Sequence, residues 1–260
     1  MVPHSLIIVG SGIKFMSHLT VEAKAYIQQS DKVLYLVNEP VMQEWIMLHS
    51  SNPESLDELY TKNLLRNDNY QLIAEYILEK LRVTKVLCVV MYGHPTAFAQ
   101  PALSAARKAS DQGYKVMILP GISAEACLFA DLMIDPGTYG CQSFEATDFL
   151  LYGREYDTSS HLILWQSYVI GVLGLPKDHN PQKGLQLLAG YLQKKYDSNH
   201  EIVLYEAAQY PAFSPRIDKV TLQDLPHATI SSLTTLYIKP AKQKSLDANV
   251  LEMLRTSLIS

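Results

Sequence analysis

The sequence predicts an α/β fold of two domains, a mostly parallel N-terminal sheet followed by a mixed C-terminal one. Three observations predict it. Short β-branched runs alternate with amphipathic helical stretches up to about residue 119, which is the rhythm of βαβ units. One of these runs, Val86 to Met91, is almost continuously apolar, as strands buried on both faces of a parallel sheet are. Past Pro120-Gly121, strand-like runs succeed one another with few helices between them, the texture of antiparallel pairing. The expected organisation is therefore 1–118 for the first domain, 119–240 for the second and 241–260 for a tail.

Each element follows from local pattern. Ser5 to Val9 reads as a buried strand ending in a glycine turn. Thr20 is an N-cap for a helix to about Ser30, with Val21, Ala25 and Ile27 as its apolar side. Lys32 to Val37 is a strand and Pro40 to His49 a helix. Asp68 to Leu81 is the third helix, with Leu72, Ile73, Tyr76 and Ile77 inward. Ala102 to Gln112 is helical, stopped by Gly113, and Lys115 to Leu119 is a strand. Ser123 to Leu132 is a helix. Strands are then expected over 144–151, 161–166, 201–206, 216–222 and 230–239, with one helix among them, Lys183 to Tyr196. The tail is polar, then weakly amphipathic through Leu246, Val250, Leu251 and Leu254, and is expected to be helical in part.

A chain of 260 residues can bury a full core without disulfide or metal staples. Its 22 basic and 26 acidic side chains leave a formal charge of −4, which argues against the basic face of a nucleic-acid or anionic-membrane binder. Cys88, Cys127 and Cys141 are odd in number and widely spaced, without a CxxC pair. Reduced thiols and no metal site are expected. No apolar run approaches the ~20 residues of a membrane span, and the first residues lack a basic n-region; the expectation is a soluble, cytoplasmic protein. One imbalance stands out, 16 Tyr against 6 Phe and 2 Trp, because each buried phenol needs a hydrogen-bond partner.

Val9-Gly10-Ser11-Gly12, directly after the first strand, has the opening of a dinucleotide fingerprint. The third glycine of that fingerprint is absent, Ile13-Lys14-Phe15 follows, and the next acid after a strand, Glu39, lies too far along. A tight turn at a strand end is the better reading.

Gly10-Ser11-Gly12, Tyr92-Gly93-His94-Pro95 and Leu119-Pro120-Gly121-Ile122-Ser123-Ala124 occur in that order, each at a strand end. Together they resemble the tetrapyrrole methylase superfamily of S-adenosylmethionine (SAM) enzymes, over about residues 5–240. The resemblance implies two α/β domains, a homodimer, and SAM bound in the cleft between the domains, with S-adenosylhomocysteine as product. A narrower set is similar to the borosin peptide backbone α-N-methyltransferases, which methylate amide nitrogens of a ribosomally made precursor peptide. It comprises Tyr92-Gly93-His94-Pro95-x-x-Phe98, Ser123-Ala124-Glu125-Ala126-Cys127-Leu128-x-Ala130-Asp131-Leu132, Ile134-Asp135-Pro136 and Phe144-Glu145-Ala146-x-Asp148-Phe149. His161-x-Ile163-Leu164-x-Gln166, Tyr205-Glu206-Ala207 and Thr234-Thr235-Leu236-Tyr237-Ile238 agree with it. The first loop departs from the Gly-Pro-Gly-Asp usual in the tetrapyrrole branch and fits the peptide branch better.

An amide nitrogen is a poor nucleophile, because its lone pair is delocalised into the carbonyl. Methylating it requires removal of the N–H proton or stabilisation of an imidate-like oxyanion. Arg66 and Tyr70 are four residues apart and share a helix face if the third helix reaches back to Arg66. A permanently charged guanidinium favours the phenolate, so Tyr70 is the candidate base or relay and Arg66 its partner. The resemblance assigns catalysis to such an Arg-x-x-x-Tyr pair, and implies that Tyr60 and Tyr92 supply phenolic hydrogen bonds to the peptide carbonyl. It places SAM against Tyr92, Pro95, Ala97, Phe98, Ser123, Ala124, Gln166, Tyr205, Glu206, Ala207, Thr234 and Thr235. His94 reads as a residue that shapes its turn, and Asp131 and Asp135 as structural.

Many borosin enzymes carry their precursor fused at the C-terminus. Lys242 to Ser260 holds no apolar, β-branched run that would serve as a core peptide, so the expectation is a split system acting on a separate precursor protein. Two other functions remain open on the same residues: C-methylation of a tetrapyrrole or other small molecule, and a non-catalytic module that only holds a ligand.

Overall fold

The computed structural model of the protein describes residues 4–59, 65–172 and 179–257. The chain divides into two compact units, one built from Met1–Ile134, Gly171–His179 and Tyr205–Ile217, the other from Asp135–Ile170, Asn180–Leu204 and Asp218–Ser260.

The first unit holds a five-stranded sheet of β1 (Ser5–Gly10), β2 (Lys32–Leu36), β3 (Pro53–Ser55), β4 (Val86–Met91) and β5 (Lys115–Leu119), in the order β3-β2-β4-β1-β5. Every pairing is parallel, with Ser5 opposite Val86 on one side of β1 and Lys115 on the other. Alternate residues of each strand enter different cores. Leu6, Ile8, Leu34, Leu87 and Val89 pack with Ile73, Ile77, Leu81, Ala102 and Ala105. These come from α3 (Arg66–Val83) and α4 (Gln100–Asp111). Ile7, Val9, Val33, Cys88 and Val90 pack with Ala23, Ile27, Met42 and Ile46 on the opposite face, from α1 (Val21–Gln29) and α2 (Pro40–His49). The continuous apolar runs are thus explained by burial on both faces. The parallel N-terminal sheet expected from the sequence is present. α5 (Ala124–Asp131), beyond the expected boundary at 119, groups with this unit.

Thr20 caps α1, its hydroxyl accepting the Ala23 N–H at 3.1 Å. The inward face of α1 differs from expectation: Ala23 and Ile27 are buried, whereas Val21, at the first helical position, is 88% exposed. On α3, likewise, Leu72 faces outward at 40% exposure. The buried stripe runs through Asn69, Ile73, Ala74, Ile77, Leu78 and Leu81, a 3.6-residue period rotated from the one expected.

The second unit follows α6 (Pro136–Tyr139) with β6 (Cys141–Glu145), α7 (Ala146–Leu151), β7 (His161–Trp165), α8 (Gln182–Leu192), β8 (Glu201–Glu206), β9 (Arg216–Thr221), β10 (Thr235–Ile238) and α9 (Ala248–Ser257). Its sheet runs β6-β7-β10-β8-β9 and is mixed, β6 being parallel and β10 antiparallel to β7. Phe149, Leu162, Leu164, Leu185, Leu188, Leu192, Ile202 and Leu236 form its core. The strand expected over 144–151 stops at Glu145. That carboxylate accepts the Asp148 N–H at 2.6 Å and starts α7 instead, a side-chain cap that outweighs the apolar run behind it. The strand expected over 230–239 starts only at Thr235, because Ser231 and Thr234 close a turn through Ser231 N–H to Thr234 Oγ1 at 2.8 Å. The expected tail helix is α9. Among the described residues, no helix is long and apolar enough to cross a membrane.

Gly190 lies in α8 with nothing within 4 Å of where a Cβ would sit. Gly190→Ala is expected to stabilise the fold by about 0.5–1 kcal/mol through helix propensity alone, read as a higher urea midpoint.

Candidate functional site

Helices α1 and α2 pack on one face of the first sheet and α3 and α4 on the other. The neighbouring strands β1 and β4 therefore send their following loops to opposite faces. In open parallel sheets such a reversal leaves a crevice at the carboxyl ends of the strands, where ligands bind. The two glycine loops meet there. Gly12 and Gly93 form an antiparallel bridge, each N–H donating to the other's carbonyl at 3.1 Å. The Pro120-Gly121 turn after β5 joins them. A Cβ on Gly10 would lie 2.2 Å from the Gly93 carbonyl oxygen and 3.3 Å from Gly121 Cα, and one on Gly121 would lie 2.8 Å from the same oxygen. Glycine is needed at both because backbone approaches backbone. Three motifs spread over more than a hundred residues of sequence thus form one cradle.

Beside it lies a small hollow lined by Ser11, Gly12, Ile13, Phe15, Glu39, Met42 and Tyr92. Glu39 is buried and caps α2, accepting the Val41 N–H at 2.9 Å and the Met42 N–H at 2.6 Å. The Tyr210 hydroxyl donates to it as well. Tyr92, half-buried at the end of β4, accepts a bond from Gln209 Nε2 at 3.4 Å. Burial raises the Tyr92 pKa above that of an ordinary phenol, while the Gln209 bond opposes the rise.

The remaining sequence-predicted residues fall as follows. Arg66 and Tyr70 both lie in the first turns of α3, at the i, i+4 spacing that puts them on one helix face. Arg66 donates to the Val172 carbonyl at 3.2 Å. Tyr60 lies outside the described residues. Pro95 is buried, with its Cδ 3.0 Å from a Cβ built on Gly10. Ala97 N–H donates to the His94 carbonyl at 3.1 Å, and His94 Nδ1 takes the Thr96 N–H at 3.2 Å, closing that turn. Phe98 is 50% exposed and has φ +54°; Gln166 has φ +56°. A non-glycine residue in this left-handed region is strained, and such strain gathers at ligand-binding positions. Ser123 caps α5 through the Ala126 N–H at 3.1 Å, and Ala124 begins that helix. Tyr205 is fully buried and donates to Asp131 at 2.6 Å. Burial, then this bond to a carboxylate, drives its pKa far upward. Glu206 pairs with Arg216 at 2.9 Å, and Ala207 follows it half-buried. In the second unit Thr234 and Thr235 are buried, Thr234 within the turn before β10. Gln209 and Tyr210, and the pairing of Asp131 with Tyr205, are what sequence reasoning missed. The Gln209, Asp131 and Tyr210 bonds span separations of 117, 74 and 171 residues, which no local spacing signals.

The family model for tetrapyrrole (corrin/porphyrin) methylases matches residues 5–226, a span that takes in all three glycine loops. This chain belongs to that family. Among curated proteins it is 38% identical over 256 residues to a methyltransferase/ribosomally synthesized cyclic peptide gymnopeptides precursor from Gymnopus fusipes, covering 96% of this chain and 60% of that protein. It is 35% identical to the corresponding dendrothelin A precursor from Dendrothele bispora, covering 97% and 61%. The chain spans about three fifths of the length of these relatives. Of solved structures, a uroporphyrin-III C-methyltransferase from Thermus thermophilus complexed with S-adenosylhomocysteine matches with a TM-score of 0.63 at 13% identity, over 90% of this chain and 97% of that one. The methyltransferase CobJ matches with a TM-score of 0.58 at 15% identity, over 94% and 97%. These structural likenesses show the methylase fold.

Two imidazoles, buried His161 and half-buried His18, carry a pH prediction. His18 and His161 both have lowered pKa values, His18 through burial and then Lys14, His161 through burial. Between the folded value and about 6.5 the unfolded chain binds more protons, so stability falls as pH drops through 6.5. The urea midpoint is expected to be lower at pH 5.5 than at 7.5, and His161→Asn to flatten that slope. The carboxylates with depressed values, Glu54, Glu155, Glu201 and Asp157, lose their contribution only below about pH 4.5, outside this window.

Proposed function

We propose that this chain is a SAM-dependent methyltransferase that methylates backbone amide nitrogens of a ribosomally made peptide. The convergence of the three glycine loops at the strand reversal carries the reading, since family membership and the relatives' names then give the crevice a chemistry. The residues suit SAM. In the cradle backbone packs on backbone with no side chain at Gly10 or Gly121, and Phe98 offers an exposed aromatic face. In this reading Tyr92, Pro95, Ala97, Phe98, Ser123, Ala124, Glu206 and Ala207 of the first unit hold the cofactor. Tyr205 holds its place through Asp131. SAM, when bound, supplies an electrophilic methyl group.

The chain's own residues do the proton work. Tyr70 takes the amide N–H proton, and Arg66 on the same face favours its charged form. Tyr92 donates to the peptide carbonyl oxygen as negative charge grows there. The acceptor in this reading is a precursor peptide on a separate chain. A homodimer completes the reading, checked by light scattering.

The test is co-expression with candidate small precursor proteins, followed by intact-mass and fragmentation analysis. Methyl increments on backbone nitrogens of a precursor are expected. Methyl groups on residues 241–260 instead would refute the separate acceptor. SAM binding with no peptide methylated would overturn the peptide reading in favour of a small-molecule acceptor.

A further inference from the structure

The Tyr92 phenol has one hydrogen to give and lone pairs to receive. Gln209 Nε2 occupies a lone pair at 3.4 Å, so the phenol's own hydrogen points elsewhere. Glu39, which lines the same hollow, does not claim it. Its Oε1 already accepts from Val41 N–H and the Tyr210 hydroxyl, and its Oε2 accepts from Met42 N–H. Cys127 of α5 and Tyr205 of β8 are the other titratable groups near Tyr92, and the Tyr205 proton is directed to Asp131.

Gln209 itself is pinned on both sides. Its carbonyl accepts the Phe15 N–H at 2.8 Å, in the loop after β1. The next residue, Tyr210, is tied to Glu39 at the start of α2. One short segment thus fastens onto the loops that follow β1, β2 and β4, and presents a single amide to the Tyr92 oxygen.

We infer that Gln209 is a positioning residue for the methyl transfer: by donating its amide N–H to the Tyr92 hydroxyl, it fixes that phenol as a hydrogen-bond donor to the peptide carbonyl. The inference rests on the peptide N-methylation reading above and adds to it the residue that sets the polarity of the Tyr92 bond. Accepting a bond also polarises the phenol O–H and strengthens what it donates. Burial keeps the phenol protonated, so the donor is present at neutral pH.

Gln209→Glu tests this, because it keeps size and shape while replacing a donor with an acceptor. The full-length chain is labelled with [ζ-¹³C]tyrosine, and the Tyr92 signal is assigned with Tyr92→Phe. Gln209→Glu is expected to move that signal toward the phenolate position, as the phenol turns to donate to the carboxylate. Peptide methylation is expected to fall about 10- to 100-fold, in kcat, with SAM affinity unchanged by calorimetry. Gln209→Leu, which removes the bond without inverting it, is expected to fall less and to leave the signal far from phenolate. An unmoved signal together with a near wild-type rate in Gln209→Glu overturns the inference. Should the wild-type chain methylate no peptide, the function fails on its own account, and the ¹³C signal still decides whether Gln209 orients Tyr92.

Discussion

Tyr70→Phe is expected to lower peptide methylation by about 10²–10⁴-fold, the usual contribution of a positioned acid–base group, while SAM still binds. The phenol ring remains, so packing on α3 is conserved and only the ionisable oxygen is lost. Measurement is by initial rate at saturating peptide and SAM, with calorimetry for the cofactor. A small-molecule C-methyltransferase has no amide proton to remove and gives no reason for such a loss. Full activity in Tyr70→Phe would therefore remove Tyr70 from the mechanism. Arg66→Lys is expected to fall less far. It keeps a positive charge beside the phenol but loses the planar fork that reaches the Val172 carbonyl. A rate profile whose ascending limb stays in place in Arg66→Lys would mark the charge, and not the fork, as the quantity that matters.

Some of this was legible in the sequence, for physical reasons that particular elements make plain. β4 and β5 and helix α2 have the bounds expected. A strand buried on both faces must be apolar throughout, and Pro40 behind Glu39 marks a helix start. β1 was expected one residue short, because its last member is Gly10, a residue that reads as turn. The segment 144–151 misled because a helix of six residues shows less than two turns of periodicity, so its apolar run looks like a strand unless the Glu145 cap is weighed. β3, with three residues, offers no pattern at all. At the candidate site the glycine motifs were visible one by one, but their mutual contact was not. Asp131 was read as structural, and it accepts the hydroxyl of a fully buried phenol, a partner that the sequence did not name. The tyrosine surplus is partly explained by such pairs. Tyr205 and Tyr210 direct their hydroxyls at the carboxylates of Asp131 and Glu39, and the Tyr237 hydroxyl pairs with His161 Nδ1. None of these pairings has a spacing that sequence can display.

Gly10→Ala is expected to cost about 3 kcal/mol of stability or more, at the upper end for overpacking, and to abolish SAM binding. The added methyl would stand 2.2 Å from the Gly93 carbonyl oxygen, a distance that no rotamer relieves because both partners are backbone. The oxygen cannot withdraw freely, since it accepts the Gly12 N–H at 3.1 Å. Moving it breaks the bridge between the loops after β1 and β4. The same methyl would also stand 3.0 Å from Pro95 Cδ and 3.3 Å from Gly121 Cα. The strain must therefore spread into all three loops together. Urea denaturation and SAM calorimetry on the same preparation read both effects. Gly113→Ala supplies the contrast. Gly113 has φ +83° but nothing within 4 Å of a Cβ, so alanine there is strained without touching the cradle. It is expected to lose stability while its folded fraction binds SAM as before. A Gly10→Ala chain that remains as stable as the parent and binds SAM normally would show that the convergence of the three loops is not what holds the cofactor.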